Sequence, residues 1–194
     1  MGYSSDGFSA GFPLAILDGR DAMIAIGMNG DPLPLKHGFP ARIIVPGLYG
    51  YVSATKWLTR IELTRFDQKQ GYWVPRGWSA LAPIKTQSRI DTPRDGSTIK
   101  AGRIAIAGVA WAPTRGISKV EVRVDDGPWR EATLGPELAK TTWRQWWIDW
   151  SATKGEPSIS VRATDGTGAL QSGNRTPPEP NGAEGWHLIN ITVG

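Results

Sequence analysis

The sequence predicts a mainly β protein whose C-terminal half is an antiparallel β-sandwich, and three observations carry that expectation. Twenty-four glycines and fifteen prolines in 194 residues, with Asp-Gly pairs at 6, 18, 95, 126 and 165, supply turns throughout. Val120, Val122 and Val124 alternate with Glu121, Arg123 and Asp125, the period of a strand with one apolar face. Beyond residue 100, segments of strand character recur at regular spacing: 102–111, 118–124, 128–133, 142–150, 158–164 and 187–193.

The first of these strands alternates Ile104, Ile106 and Gly108 with Arg103, Ala105 and Ala107, and Asp126-Gly127 turns the chain toward Trp129. Trp143, Trp146, Trp147 and Trp150 follow helical spacing, yet aromatic enrichment beside neighbouring strands favours β structure. As a strand, Trp143 and Trp147 share one face while Trp146, Ile148 and Trp150 share the other. One face then fills the core and the other meets a partner subunit or the preceding domain; the alternative is that all four indoles pack the core. Before residue 100, strands are expected at 21–28, 41–45 and 60–63, the second closed by Pro46-Gly47. A polar, aromatic stretch at 67–85 reads as the link between halves. The expected boundary falls near 86–93, giving domains 1–85 and 86–194.

Charge is unevenly placed. Residues 101–194 carry ten basic and ten acidic side chains, whereas 36–94 carry ten basic against three acidic, a local net of +7. Such a field attracts anions. Around the 41–45 strand, His37 and Arg42 bracket the start and Lys56 follows the end. A tunable donor, a planar fork and a point charge on loops around one buried strand suit a phosphate. The same residue types are common on solvated loops.

The run Met28-Asn29-Gly30-Asp31-Pro32-Leu33-Pro34, then His37-Gly38-Phe39-Pro40-Ala41-Arg42, Val45-Pro46-Gly47 and Lys56-Trp57-Leu58, resembles the sulfite oxidase family of molybdenum-cofactor oxidoreductases. The resemblance implies that the first part is the incomplete C-terminal portion of an α+β molybdopterin-binding domain. It also implies that His37, Arg42 and Lys56 hold the pterin and its phosphate, and that residues 86–194 are an immunoglobulin-like dimerisation domain forming a homodimer. Members of that family bind molybdenum through one cysteine thiolate, and this chain has no cysteine. The expectation is therefore a C-terminal part of a longer enzyme, partnered by the missing N-terminal part of the molybdopterin domain. Alone it is expected to be inactive, with no catalytic residue or metal ligand of its own and no tightly bound cofactor. The parent would transfer an oxygen atom to or from a small oxyanion or oxide in a two-electron step.

Sulfite oxidases carry a tyrosine facing substrate soon after the Lys-Trp-Leu element, and Trp78 stands at that position here; Tyr51 stands where a basic residue is expected. Arg76 and Trp78 are the candidates for the substrate entrance, with ordinary packing as the alternative. Gly7-Phe8-Ser9-Ala10-Gly11 fits the pattern of a hydrolase nucleophile elbow, but that motif needs a strand before it and a helix after it in a parallel sheet. His37 and His187, the only histidines, lie 150 positions apart and offer no zinc spacing. No nucleic-acid motif accompanies the basic stretch, and nucleic acid is not an expected partner. No signal sequence is expected at Met1, and no apolar run approaches the roughly 18–20 residues of a membrane span. The compartment stays open. A different reading of the same chain is a non-catalytic immunoglobulin-like interaction module with a basic N-terminal extension.

Overall fold

The computed structural model describes residues 1–194. The chain is mainly β, with nearly all strand pairs antiparallel, and it divides into two compact units. Met1–Ile84 with Pro177–Gly182 form the first; Lys85–Thr176 with Ala183–Gly194 form the second.

The first unit is built from short strands: β1 (Gly2–Ser4), β2 (Ser9–Ala10), β3 (Met23–Ala25), β4 (Gly27–Met28), β5 (Asp31–Pro32), β6 (Arg42–Ile44) and β7 (Leu58–Ile61). They make a β2-β1-β7 sheet and the β3-β6 and β4-β5 pairs. Helix is confined to α1 (Gly50–Ser53) and the 3-10 turns Leu14–Ile16, Leu35–His37 and Val74–Arg76. Ile43, Val45, Leu48, Val52 and Ala82 form the core, with Phe12, Ile16 and Leu58 packed on it.

The 67–85 stretch, expected as the link between halves, packs into the first unit as far as Ile84. Tyr72 N–H donates to Ser9 O at 2.8 Å, Ile84 N–H to Gly47 O at 2.9 Å, and Ala82 is fully buried. Gly71 makes this possible, because a Cβ there would lie 3.2 Å from Ala10 Cα. The Pro-rich loop joins this unit too: Ser79 N–H donates to Pro180 O at 2.8 Å. Ser9 lies in an antiparallel hairpin strand followed only by the 3-10 turn Leu14–Ile16, which removes the nucleophile-elbow geometry.

The second unit contains β8 (Gln87–Thr92), β9 (Thr98–Ile99), β10 (Gly102–Trp111), β11 (Ile117–Val124), β12 (Arg130–Glu131), β13 (Thr133–Leu134), β14 (Arg144–Ala152), β15 (Ser158–Asp165), β16 (His187–Asn190) and β17 (Thr192–Val193). The sheets β13-β14-β10-β8 and β12-β11-β15-β16 enclose one core that includes Ile90, Ile106, Val120, Val122, Trp146, Ile159, Val161 and Ile189. β9 and β17 pair in parallel. Val120 and Val122 point inward while Glu121 and Arg123 do not, so the alternation in the sequence sets the sheet's two faces.

The tryptophan run is a strand. Trp146 is 1% exposed, and Ile148 and Trp150 pack against the core beside it; Trp147 on β14, and Trp143 just before it, lie on the opposite, exposed face. The expected strands at 128–133 and 187–193 are each broken in two. β12 and β13 belong to different sheets, as do β16 and β17. In both cases a single buried residue, Ala132 or Ile191, is the pivot, and it carries the chain from one layer to another. Asp165 locks the far end of β15. Its carboxylate accepts from Arg115 Nε at 2.7 Å, Thr86 Oγ1 at 3.2 Å, Thr167 Oγ1 at 2.6 Å and the Thr167 and Ala169 amides. Burial pushes its pKa up, but these donors outweigh burial and bring it down to about 2.

Candidate functional site

The first unit sorts its cations by structure. Arg20, Arg60, Arg65 and Lys69 are each paired with a carboxylate: Asp18, Glu62, Asp67 and Glu62 respectively. Lys36, Arg42 and Lys56 have no such partner, and Arg42 and Lys56 converge. The 3-10 turn Leu35–His37 ends at Gly38, whose φ of +110° turns the chain back toward β6. A Cβ on Gly38 would lie 2.9 Å from Lys56 Cβ and 3.2 Å from Arg42 Cβ, so only glycine lets the two cationic side chains start so close together.

Their placement is held by backbone acceptors. Arg42 Nη1 donates to His37 O at 3.1 Å and Lys56 Nζ to Lys36 O at 3.2 Å. Trp57, at φ +48°, donates its indole N–H to Leu35 O at 2.8 Å and carries the Lys56 ammonium 4.4 Å from its ring centroid. Arg42 Nε is buried with no hydrogen-bond partner. A buried guanidinium N–H without an acceptor is costly unless a ligand supplies one. The Lys56 charge also reaches Asp6, whose carboxyl is lowered first by the Ser4 hydroxyl and the Phe8 amide and least by Lys56.

The structure brings the Arg42 and Lys56 side chains together at Gly38, with His37 beside them through its backbone carbonyl. It adds the Lys36 carbonyl and the Trp57 indole, which sequence reasoning did not single out; the glycine between His37 and Arg42 was the available signal. This arrangement fits the anionic end of a phosphorylated cofactor: donors of two geometries, no carboxylate within ion-pair distance, and one orphaned N–H. It does not supply a metal ligand set. No group of three His, Cys, Asp or Glu side chains is placed to hold a metal ion.

Arg76 and Trp78 belong to a different grouping. Six aromatic rings run in succession, Phe8, Tyr72, Trp73, Trp78, Tyr51 and Tyr49, with neighbouring centroids 6.0, 5.2, 5.9, 4.8 and 6.4 Å apart. Arg76 lies exposed over Tyr72 at 3.7 Å and donates to Tyr72 O at 2.6 Å. The Tyr51 hydroxyl lies within 3.1 and 3.2 Å of the Ser79 and Pro180 carbonyls, and burial, then Tyr49, raises its pKa. Trp78 is half-buried between Tyr51 and Trp73, so its indole is a packing element with one open side.

Residues 1–73 match the oxidoreductase molybdopterin binding domain and residues 87–161 the bacterial Ig domain. The chain is 29% identical over 220 residues to the mitochondrial sulfite oxidase of Homo sapiens, covering 96% of this chain and 39% of that protein. It is 30% identical over 216 residues to that of Rattus norvegicus, with the same coverage. An inducible NADH nitrate reductase of Glycine max is 28% identical over 202 residues, covering 84% of this chain and 23% of that one. The chain therefore spans well under half the length of these relatives. The crystal structure of the sulfane dehydrogenase SoxCD from Paracoccus pantotrophus superposes with a TM-score of 0.70 at 22% identity, covering 95% of this chain and 54% of that one, a likeness of fold. With both domain types present in that order, the chain is similar to the sulfite oxidase family of molybdopterin-dependent oxidoreductases along nearly its whole length.

Proposed function

We propose that this chain is the cofactor-gripping and immunoglobulin-like part of an enzyme that acts on a small oxyanion, with His37, Arg42 and Lys56 holding the phosphate of the pterin. The observation that carries the reading is the cluster at Gly38: Arg42 and Lys56 lie without carboxylate partners, and Arg42 Nε is buried without an acceptor. When bound, the molybdenum cofactor supplies two-electron oxygen-atom transfer. The chain's own residues do the rest. Arg42 offers a planar fork whose Nη1 is already anchored on His37 O, Lys56 adds a point charge, and His37 lies at the turn that orients both. Preorganised cations of this kind neutralise a phosphate without reorganising when it arrives.

These 194 residues hold no cysteine. On this reading the molybdenum thiolate comes from other polypeptide and the chain alone has no turnover. A broad exposed apolar face supports a polypeptide partner: Leu14, Met23, Ile24 and Leu63 are each more than half exposed and border a cleft of about 270 Å³ in the first unit. Arg76 and Trp78 are proposed to line the approach to substrate, and the second unit to join two copies about a two-fold axis. Named relatives include both a sulfite oxidase and a nitrate reductase, which supports the oxyanion class and leaves its member open.

Metal analysis by mass spectrometry with pterin fluorescence, after expression in a host that makes molybdopterin, tests this. The isolated chain is expected to carry near-zero molybdenum. With the thiolate-bearing polypeptide supplied, cofactor is expected near one per chain and is lost in Arg42→Ala and Lys56→Ala. Full occupancy in both variants would refute the phosphate role.

A further inference from the structure

The second unit contains a cleft of about 380 Å³ that the reading above does not use. Val109 and Ala110 of β10, Arg175, Trp186 and the neighbouring indoles of Trp111 and Trp143, with ring centroids 6.2 Å apart, line it. This volume lies in the range of small-ligand sites, which pair aromatic walls with a few aimed polar groups.

The polar groups divide into those already committed and those left open. Gln87 donates to Ala183 O at 3.1 Å, and Ser88 to Gln171 Oε1 at 2.6 Å. Trp111 and Trp186 donate their indole N–H groups to Thr141 O and Gln171 O, each at 3.2 Å. Glu184 lies 3.5 Å from Lys85. Arg89 is paired with Asp91 at 2.6 Å and lies over the Trp143 ring at 4.9 Å, so it braces that indole in place. By contrast, Trp143 is half exposed with an indole N–H that meets no acceptor, and Arg175 forms neither hydrogen bond nor ion pair. His187 accepts the Ile90 N–H on Nδ1 at 3.0 Å, so the neutral ring carries its proton on Nε2, a third donor at the cleft.

We propose that this cleft binds a small organic anion built on a planar ring, the ring lying against Trp143 and the anionic group meeting the Arg175 guanidinium. Every open group in the cleft is a donor, one of them cationic, while its only carboxylate is held by a lysine. A neutral ring would leave Arg175 without a partner, and a ringless anion would leave the indole wall unused. The inference concerns the second unit alone and stands or falls apart from the pterin assignment.

Isothermal titration of the 194-residue chain with 2-naphthoate tests it, with 2-naphthalenemethanol and acetate as the neutral-ring and ringless comparisons. The expected result is one site with Kd below about 1 mM, and weaker binding of both comparison compounds by about fivefold or more. Arg175→Ala and Trp143→Ala should each weaken 2-naphthoate about fivefold to tenfold at unchanged unfolding midpoint. Trp147→Ala, an exposed indole outside the cleft, should leave it unchanged. Absence of binding, equal loss in Trp147→Ala, or indifference to either cleft variant would overturn the assignment.

Discussion

Replacing Gly38 with alanine puts a methyl group at the centre of the cationic cradle, and the structure separates its two costs. The backbone cost arises because φ is +110°, where an L side chain crowds the following carbonyl by about 1–2 kcal/mol. The packing cost arises because the new Cβ would lie 2.9 Å from Lys56 Cβ and 3.2 Å from Arg42 Cβ, closer than carbon atoms tolerate. Relieving that contact forces shifts of about 1–3 kcal/mol. Gly7→Ala is the internal control: φ is +87° and nothing lies within 4 Å of its Cβ, so it carries the backbone cost alone. Urea unfolding by circular dichroism should therefore rank Gly38→Ala below Gly7→Ala by roughly 1–3 kcal/mol. Because Lys56 and Arg42 must move apart, Gly38→Ala in the assembled enzyme should also lower pterin content, and Gly7→Ala should not. Equal destabilisation by the two substitutions, or full pterin content in Gly38→Ala, would refute the claim that this glycine sets the spacing of the two cations.

Other outcomes follow from the second unit and the hairpin. Asp165 has a folded pKa of about 2 against an ordinary value near ~3.9, so its contribution of about 2 kcal/mol is complete above pH ~4 and lost as pH falls toward 2. An acid-unfolding profile should steepen there in the wild type and flatten in Asp165→Asn. His187 is held below its usual pKa by burial first and by Arg89 second; its share of stability is present above pH ~6.5 and declines on acidification, an earlier shoulder that His187→Gln should remove. Trp146→Ala, at a side chain 1% exposed, should cost about 3–5 kcal/mol in denaturant unfolding. Ser9→Ala should leave stability within about 0.5 kcal/mol and reveal no esterase activity to lose.

The second unit's architecture was legible in the sequence because strand alternation is local. The valines of β11 and the alternating Trp146, Ile148 and Trp150 of β14 each declare an inward face before any partner strand is known. The resemblance at 28–58 likewise pointed to His37, Arg42 and Lys56. Less legible were the breaks at Ala132 and Ile191, since a sheet switch depends on which strand is nearest at each residue. Composition marked 67–85 as a link but not how it packs, because Ala82 and Gly71 matter only through what lies against them.

The sequence by itself determined the β character, the excess of positive charge in the first half, the absence of any thiolate ligand and the residues that resemble the family's pterin grip. Only the tertiary structure decided which cations are available. Of the basic residues between 20 and 69, four are neutralised by carboxylates and two, Arg42 and Lys56, meet at Gly38, a sorting that sequence distance does not encode. Electrostatic function depends on the separation of charges in space, and that separation is created when β6 and the 55–58 segment close on the turn at Gly38.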